Sequence, residues 1–406
     1  MACSMKKAGV ALALCVAGLS CALEGQQKKE DPWKREITER RAVSEYSYVY
    51  ADLQRTSFQD RLMTADTTRK WMIPNPEGNR ALLVLPMQEG FAVQYERHVA
   101  HRDSTGATQW ILPNERFFFP FVAGGLVHAV NAGFLSRRDN AGREQGVRLV
   151  VPGAQEGVPI PFLAPLPRGR FVAQTVLVPR VSDPRLESST PRTDLAAFEQ
   201  GKDMVWIHTY PEKAVPSLLT RDGKTVVLVL TRGLVHTVYA ETGAEQKSFD
   251  LKVASCGPAS LGADGTLYIT AQQKDGRWSL ISCSLTGEAD WSLVVPNPQN
   301  KAPLQPPAVG LRGRLYVVAS DTLLCVEKGT VLWREPLYQS ASGQYLTVLG
   351  DNSVLVGAST SCMLVSPEGE RRWTVFLLPG DDVTAPPVVT EEGRILLGCA
   401  NNIYCY

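Results

Sequence analysis

The chain has 406 residues, and its 42 Lys and Arg stand against 41 Asp and Glu, interleaved along the sequence, for a formal net charge of +1. That balance excludes the electrostatic footprint of a nucleic-acid binder. With 44% hydrophobic residues, 20% charged residues, 33 Gly and 27 Pro, the composition is that of a globular chain rich in turns and excludes a disordered one.

At the N-terminus, Met5-Lys6-Lys7 precedes an apolar run from Ala8 to Leu19, the charged and hydrophobic regions of a secretory signal peptide. The run is too short to span a bilayer and no later stretch reaches about 18 apolar residues, so the mature chain is predicted to lack a transmembrane helix. Residues 1–22 therefore read as a signal peptide. Cleavage after Ala22 and cleavage before Cys21 both fit. Gly18-Leu19-Ser20-Cys21 resembles a bacterial lipobox with its Leu one place late, which makes Cys21 a lipidation candidate. Residues 23–63 read as a charged tether, Gln26 to Arg41, followed by the aromatic string Tyr46-Ser47-Tyr48-Val49-Tyr50, suited to packing on a folded domain.

From residue 64 a period of about forty residues begins. Trp71, Trp110, Trp206, Trp291, Trp333 and Trp373 each sit in a short apolar segment followed by proline, and Leu149 and Phe249 fill the gaps, giving spacings of 39, 39, 57, 43, 42, 42 and 40. A second marker is a tight turn leading into a β-rich run, centred on Gly78, Gly124, Gly169, Gly223, Gly265, Gly313, Asn352 and Gly393. A third is a glycine four residues before the tryptophan, at Gly106, Gly287, Gly329 and Gly369, where a hairpin loop calls for a left-handed residue.

These markers spell a four-stranded antiparallel unit repeated eight times, the size of a propeller blade. The predicted fold is an all-β, single eight-bladed β-propeller over residues 64–406. The eighth turn has no Trp strand after it and Trp71 has no turn before it, so the Trp71 strand is expected to complete the C-terminal blade and close the ring, removing an exposed sheet edge. The recurrent aromatic residues, Trp71, Trp110, Trp206, Phe249, Trp291, Trp333 and Trp373, read as wedges between neighbouring blades, each burial contributing roughly 2–4 kcal/mol.

Thr286-Gly287-Glu288-Ala289-Asp290-Trp291 and Thr105-Gly106-Ala107-Thr108-Gln109-Trp110 resemble the Thr-Gly-x-x-x-Trp signature of the PQQ-like, or WD40-like, repeat family, and the resemblance covers about residues 64–406. With the leader, the pattern resembles lipoprotein members of that family that serve the bacterial outer-membrane assembly machinery. Quinoprotein dehydrogenases share the repeat, and likeness to them implies a catalytic Asp, a bound calcium and often a vicinal Cys-Cys pair on a longer chain. No Cys-Cys dipeptide occurs, and Asp264, Asp381 and Asp382 fall in predicted loops, where acidic residues are ordinarily solvated. Walker A, Gly-x-Ser-x-Gly and His-Glu-x-x-His strings are absent. Neither a catalytic residue, a metal nor a cofactor is expected.

His98 and His101 are three apart on a predicted strand and so on opposite faces. His128 and His236 lie in similar strings yet in different predicted strands. Cys256, Cys283, Cys325, Cys362, Cys399 and Cys405 are an even set in an exported chain and read either as buried small hydrophobes or as including a disulfide, Cys399 and Cys405 flanking a predicted Asn401-Asn402 turn.

Pro179 to Gly201 stretches the third blade and reads as a long exposed loop, with Pro184, Arg185, Glu187 and Arg192 as candidate partner contacts. The resulting expectation is an exported, monomeric, non-catalytic scaffold that binds protein partners in the periplasm, the outer-membrane assembly machinery among them by resemblance, and meets the membrane only through a lipid on Cys21. A quinone-dependent or other propeller enzyme and a lectin-like ligand-binding propeller are the alternatives.

Overall fold

The computed structural model describes residues 46–47, 58–59, 67–76, 79–87, 89–113, 120–123, 126–131, 134–145, 149–150, 160–177, 191–199, 204–296, 305–337 and 344–406. Cys21, Pro184, Arg185, Glu187, Gly78 and Gly124 lie outside them. Among the described residues the regular structure is β-strand, with two short 3-10 turns, and no helix is long and apolar enough to cross a membrane.

The strands form eight antiparallel blades in a propeller ring, taken in each case from the channel outward. Blade one is Leu83–Pro86, Phe91–Gln94, His98–Arg102 and Thr108–Pro113. Blade two is Phe121–Ala123, Leu126–Asn131, Phe134–Arg138 and Leu149–Val150. Blade three is Phe162–Leu166, Arg170–Leu177, Arg192–Glu199 and Met204–Tyr210, and blade four Leu218–Leu219, Thr225–Val229, Leu234–Tyr239 and Glu245–Asp250. Blade five is Ser255–Leu261, Leu267–Gln272, Trp278–Cys283 and Ala289–Val294, and blade six Ala308–Val309, Leu315–Ala319, Thr322–Glu327 and Thr330–Pro336. Blade seven is Gln344–Leu349, Val354–Ala358, Ser361–Val365 and Arg371–Phe376. Blade eight takes Val388–Val389, Ile395–Gly398 and Asn402–Cys405 from the C-terminus and Trp71–Pro74 from the N-terminus, in register Trp71 with Cys405 through Pro74 with Asn402.

Inner strands are covered on both faces by neighbouring blades, so they read as continuous apolar runs: Val226 to Val229 are fully buried. Outer strands alternate, as in Thr330–Pro336, where half-buried residues take turns with exposed ones. A bulge just before the Trp position recurs in six blades and places one extra residue there.

Five outer-strand aromatics lie on the next blade's hairpin. An added Cβ would stand 2.8 Å from Trp110 at Gly142, 2.6 Å from Trp206 at Gly243, 2.8 Å from Phe249 at Gly287, 3.1 Å from Trp291 at Gly329 and 2.8 Å from Trp333 at Gly369. These glycines all have positive φ, between 74° and 92°. The indole N–H then donates to a carbonyl of the same turn: Trp71 to Ser104 at 3.2 Å, Trp110 to Asn140 at 3.0 Å, Trp206 to Ala240 at 3.1 Å and Trp333 to Pro367 at 2.8 Å. Local caps hold the turns. Asp103 Oδ1 accepts the Thr105 hydroxyl at 2.6 Å and the Ala107 N–H at 3.0 Å, which keeps its carboxyl below the usual carboxylate range.

Nearer the channel, buried side chains bond from one blade to the next. Ser260 Oγ donates to Pro307 O and Thr347 Oγ1 to Pro387 O, each at 2.6 Å, and Thr384 Oγ1 donates to Ala81 O across the seam between blades eight and one. Gln174 Nε2 reaches Val215 O at 3.1 Å while its Oε1 accepts the Ser217 N–H at 2.7 Å.

Three expectations change. The first hairpin of blade one turns at Gly90, φ +92°, rather than at Gly78, because the first strand begins later, at Leu83. Arg192 to Glu199 is a strand and not loop: Thr193 to Phe198 are buried between blades, so the stretch shows no alternation by which to recognise it. Phe249 does not occupy the tryptophan's register. Lys247 pairs with Thr237 directly after the bulge, as Trp291 pairs with Ser282, and Phe249 reaches Gly287 from two residues further along the same face. His128 and His236 lie on a second and a third strand, so their shared string marks no repeat position.

Among the described residues, Cys256, Cys283, Cys325, Cys362, Cys399 and Cys405 are buried free thiols. Burial pushes Cys283, Cys325 and Cys405 up to about 11 and Cys256 up to about 12. A folded-state pKa above the unfolded value favours the neutral form, so this stability is complete below about pH 8 and is lost as pH rises through 11 to 12. At pH 8 the six should resist alkylation in the native protein and all react after denaturation, and urea midpoints should fall steeply above pH 9. Gly369→Ala should cost about 2–4 kcal/mol in urea unfolding, from a strained φ plus the clash with Trp333. Gly265→Ala, equally left-handed at φ +85° but with nothing within 4 Å, should cost about 1–2 kcal/mol.

Candidate docking cleft on the turn face

The turn joining the first two strands of a blade and the hairpin joining its last two lie at the same end of the strands, and together they build one face of the ring. On that face, between blades three and four, lies a cleft of about 670 Å³ lined by Leu166, Arg168, Arg170, Lys224, Tyr239 and Glu241 with the adjoining turn residues. Its floor is held by the Trp206 indole bonded to Ala240 O.

Arg168 and Gly169 are both left-handed, φ 65° and 71°, a pair of angles that matches the twist of a tight hairpin and recurs at Arg312 and Gly313. The turn aims the two arginines at blade four. Arg170 is held at both ends: its Nε donates to Glu199 at 2.9 Å and its Nη1 reaches Glu241 O at 3.4 Å. Arg168 Nη1 donates to Glu241 Oε1 at 3.3 Å from a side chain 78% exposed. Opposite, Lys224 Nζ stands 3.9 Å from Asp222, and Tyr239 is 49% exposed. The cleft thus joins an exposed aromatic to a mixed, mainly basic rim. It offers cation–π, hydrogen-bond and apolar contact to a protein segment and no nucleophile with an adjacent base.

Behind it, between the same blades, Tyr210 packs on His236 with ring centroids 4.7 Å apart, and His236 Nδ1 meets Glu245 Oε1 at 2.9 Å. The His236 hydrogen bond holds the Glu245 carboxyl below its usual range, and burial pushes the Tyr210 phenol up to about 12.

Of the residues singled out in sequence, only Trp206 and the turn glycines Gly169 and Gly223 meet here. Arg192 sits at the opposite end of its strand, paired with Leu177, and carries an ion pair to Asp194 at 3.4 Å. Tyr239, Lys224 and Arg168 escaped notice because each belongs to a different strand or turn; the Arg-Gly and Asp-Gly turn pairs were their only trace.

The acidic candidates serve the fold. Asp381 is 1% exposed and accepts from the N–H groups of Asp382 and Asn401, from Asn402 Nδ2 at 2.8 Å and from the Tyr404 hydroxyl at 2.9 Å. Asp382 Oδ1 accepts from Ser359, and Asp264 Oδ1 caps the Thr266 N–H. His98 packs on Tyr95, its ring tilted by 31°, and His101 bonds Glu89 O, on separate sides of their strand. Among the described residues no group of three or more His, Cys, Asp or Glu is placed to hold a metal ion.

The fold is matched by solved structures at low identity. BamB from Moraxella catarrhalis aligns with a TM-score of 0.55 at 13% identity, over 83% of this chain and 96% of that one. Quinohemoprotein alcohol dehydrogenase from Comamonas testosteroni aligns with a TM-score of 0.64 at 10% identity, over 91% of this chain and 81% of that one. A europium-containing methanol dehydrogenase aligns with a TM-score of 0.61 at 11% identity, over 88% and 97%. The fold is an eight-bladed β-propeller. It is common to BamB and to the dehydrogenases, so the fold alone does not divide scaffold from enzyme. No family model and no curated protein sequence matches the chain.

Arg170→Met should lower stability by about 1–3 kcal/mol, because it leaves Glu199 half-buried without its cation. Arg168→Ala should change it by less than about 0.5 kcal/mol, its ion pair being solvent-screened. Urea unfolding of the two variants checks both.

Proposed function

We propose that the protein is a non-catalytic propeller scaffold that binds a protein partner through the cleft between blades three and four. The observation that carries this reading is Tyr239, a large aromatic left exposed beside Lys224 and Arg168 on turns whose backbone is fixed by the Trp206 and Arg170 contacts. A rigid aromatic anchor with a polar rim is what protein recognition uses. The likeness to BamB and the signal-peptide pattern support an exported, periplasmic setting, a lipid anchor on Cys21 and partners in outer-membrane assembly. The near-neutral, interleaved charge supports protein rather than nucleic acid as partner.

Affinity purification from membranes should recover outer-membrane assembly proteins with the parent chain. Tyr239→Ser with Lys224→Glu should reduce that recovery about tenfold or more at an unchanged melting temperature. Equal recovery by parent and variant would remove the cleft from the proposal.

The dehydrogenase neighbours keep a second reading in view, a quinone-dependent enzyme. Dye reduction on adding quinone and calcium would establish it and displace the scaffold reading.

A further inference from the structure

Two short segments ahead of the ring pair with its channel-facing edges. Tyr46–Ser47 runs antiparallel to the first strand of blade two, Tyr46 opposite Ala123 and Ser47 opposite Val122. Phe58–Gln59 runs parallel to the first strand of blade seven, Phe58 opposite Val348 and Gln59 opposite Leu349. The Gln59 side chain also reaches blade eight, where its Oε1 accepts the Val389 N–H at 2.8 Å. In the other six blades the inner edge has no strand partner among the described residues.

The senses of these pairings are informative. First strands of a propeller all run the same way along the channel, so residues 46–47 and 58–59 run in opposite senses. Ala123 and Leu349 are the last residues of their strands, next to the turns. Tyr46 and Gln59 therefore both lie at the mouth of the channel on the turn face. Lys70 N–H donates to Cys405 O at 2.8 Å, so the outer strand of blade eight also starts from that face.

An unpaired strand edge presents a row of N–H and C=O groups that an extended peptide satisfies whatever its side chains. The string Tyr46-Ser47-Tyr48-Val49-Tyr50 is rich in residues that favour strands. We propose that the channel-facing edges of blades two and seven form a strand-addition site for an extended peptide, filled in cis by this chain's own residues 46–47 and 58–59, which latch the turn-face mouth of the channel. The site is separate from the cleft, and its ligand is read through main-chain hydrogen bonds, with Gln59 adding one side-chain contact. An extended segment of another protein would reach these edges only by displacing the latch.

The test uses the full chain with a protease site placed within residues 61–66. After cutting, the N-terminal piece should remain with the ring through gel filtration, a synthetic peptide of residues 44–60 in excess should release it, and the same peptide with its backbone N–H groups methylated at residues 46, 47, 58 and 59 should not. Gln59→Ala should speed the release about three- to tenfold, the effect of one hydrogen bond. Separation of the piece on the first pass, from a ring that melts as the uncut chain does, would overturn the proposal, and so would release by the methylated peptide. If the cut chain unfolds, Ser47→Cys with Val122→Cys in the uncut chain decides. A disulfide forming under mild oxidation supports the latch, and its absence while the six native thiols stay unreactive overturns it.

Discussion

The ring rests on one contact repeated between neighbours: an aromatic ring on the outer strand of one blade laid flat on a left-handed glycine of the next. The glycine matters twice. Its positive φ lets the hairpin turn tightly, and its missing Cβ leaves the space that the indole fills. Because the indole N–H also finds a carbonyl in that turn, the contact fixes the angle between blades as well as their distance.

The seam shows what happens where the contact cannot form. Blade eight has no hairpin between its third and fourth strands, since these are the chain's two distant segments. Trp373, in the blade before, accordingly meets no hairpin glycine among the described residues, and its Nε1 has no hydrogen-bond partner among them. Other interactions hold this quarter: the pairing of Trp71–Pro74 with Asn402–Cys405, Asn75 Nδ2 on Cys399 O at 2.8 Å, and the Asp381 carboxylate that binds Asn401, Asn402 and Tyr404 into one network. A carboxyl and a tyrosine that could be mistaken for chemistry are thus structural fasteners of the closure.

A rigid ring frees its turns for recognition. The cleft and the proposed latch both lie on the turn face, where side chains from separate blades converge. That is why neither Tyr239 nor Lys224 belongs to a motif, and why the substitutions that probe binding are separable from those that unfold the ring.

The sequence by itself determined the blade count and the closing strand, because a packing contact that recurs every forty residues must use the same residue types each time: Trp71, Trp110, Trp206, Trp291, Trp333 and Trp373 with their glycines are that constraint written out. It was less informative where the constraint relaxes. Arg192–Glu199, buried on both faces, carries no period, and Phe249 meets the glycine of blade five from a shifted register. Only the tertiary structure decided what touches what across blades. It left the six cysteines apart as free thiols, set Arg168, Lys224 and Tyr239 around one cleft, and paired residues 46–47 and 58–59 with inner edges far away in sequence. Local pattern records what one strand needs from its own neighbours, whereas these juxtapositions depend on the curvature of the closed ring, which no single segment encodes.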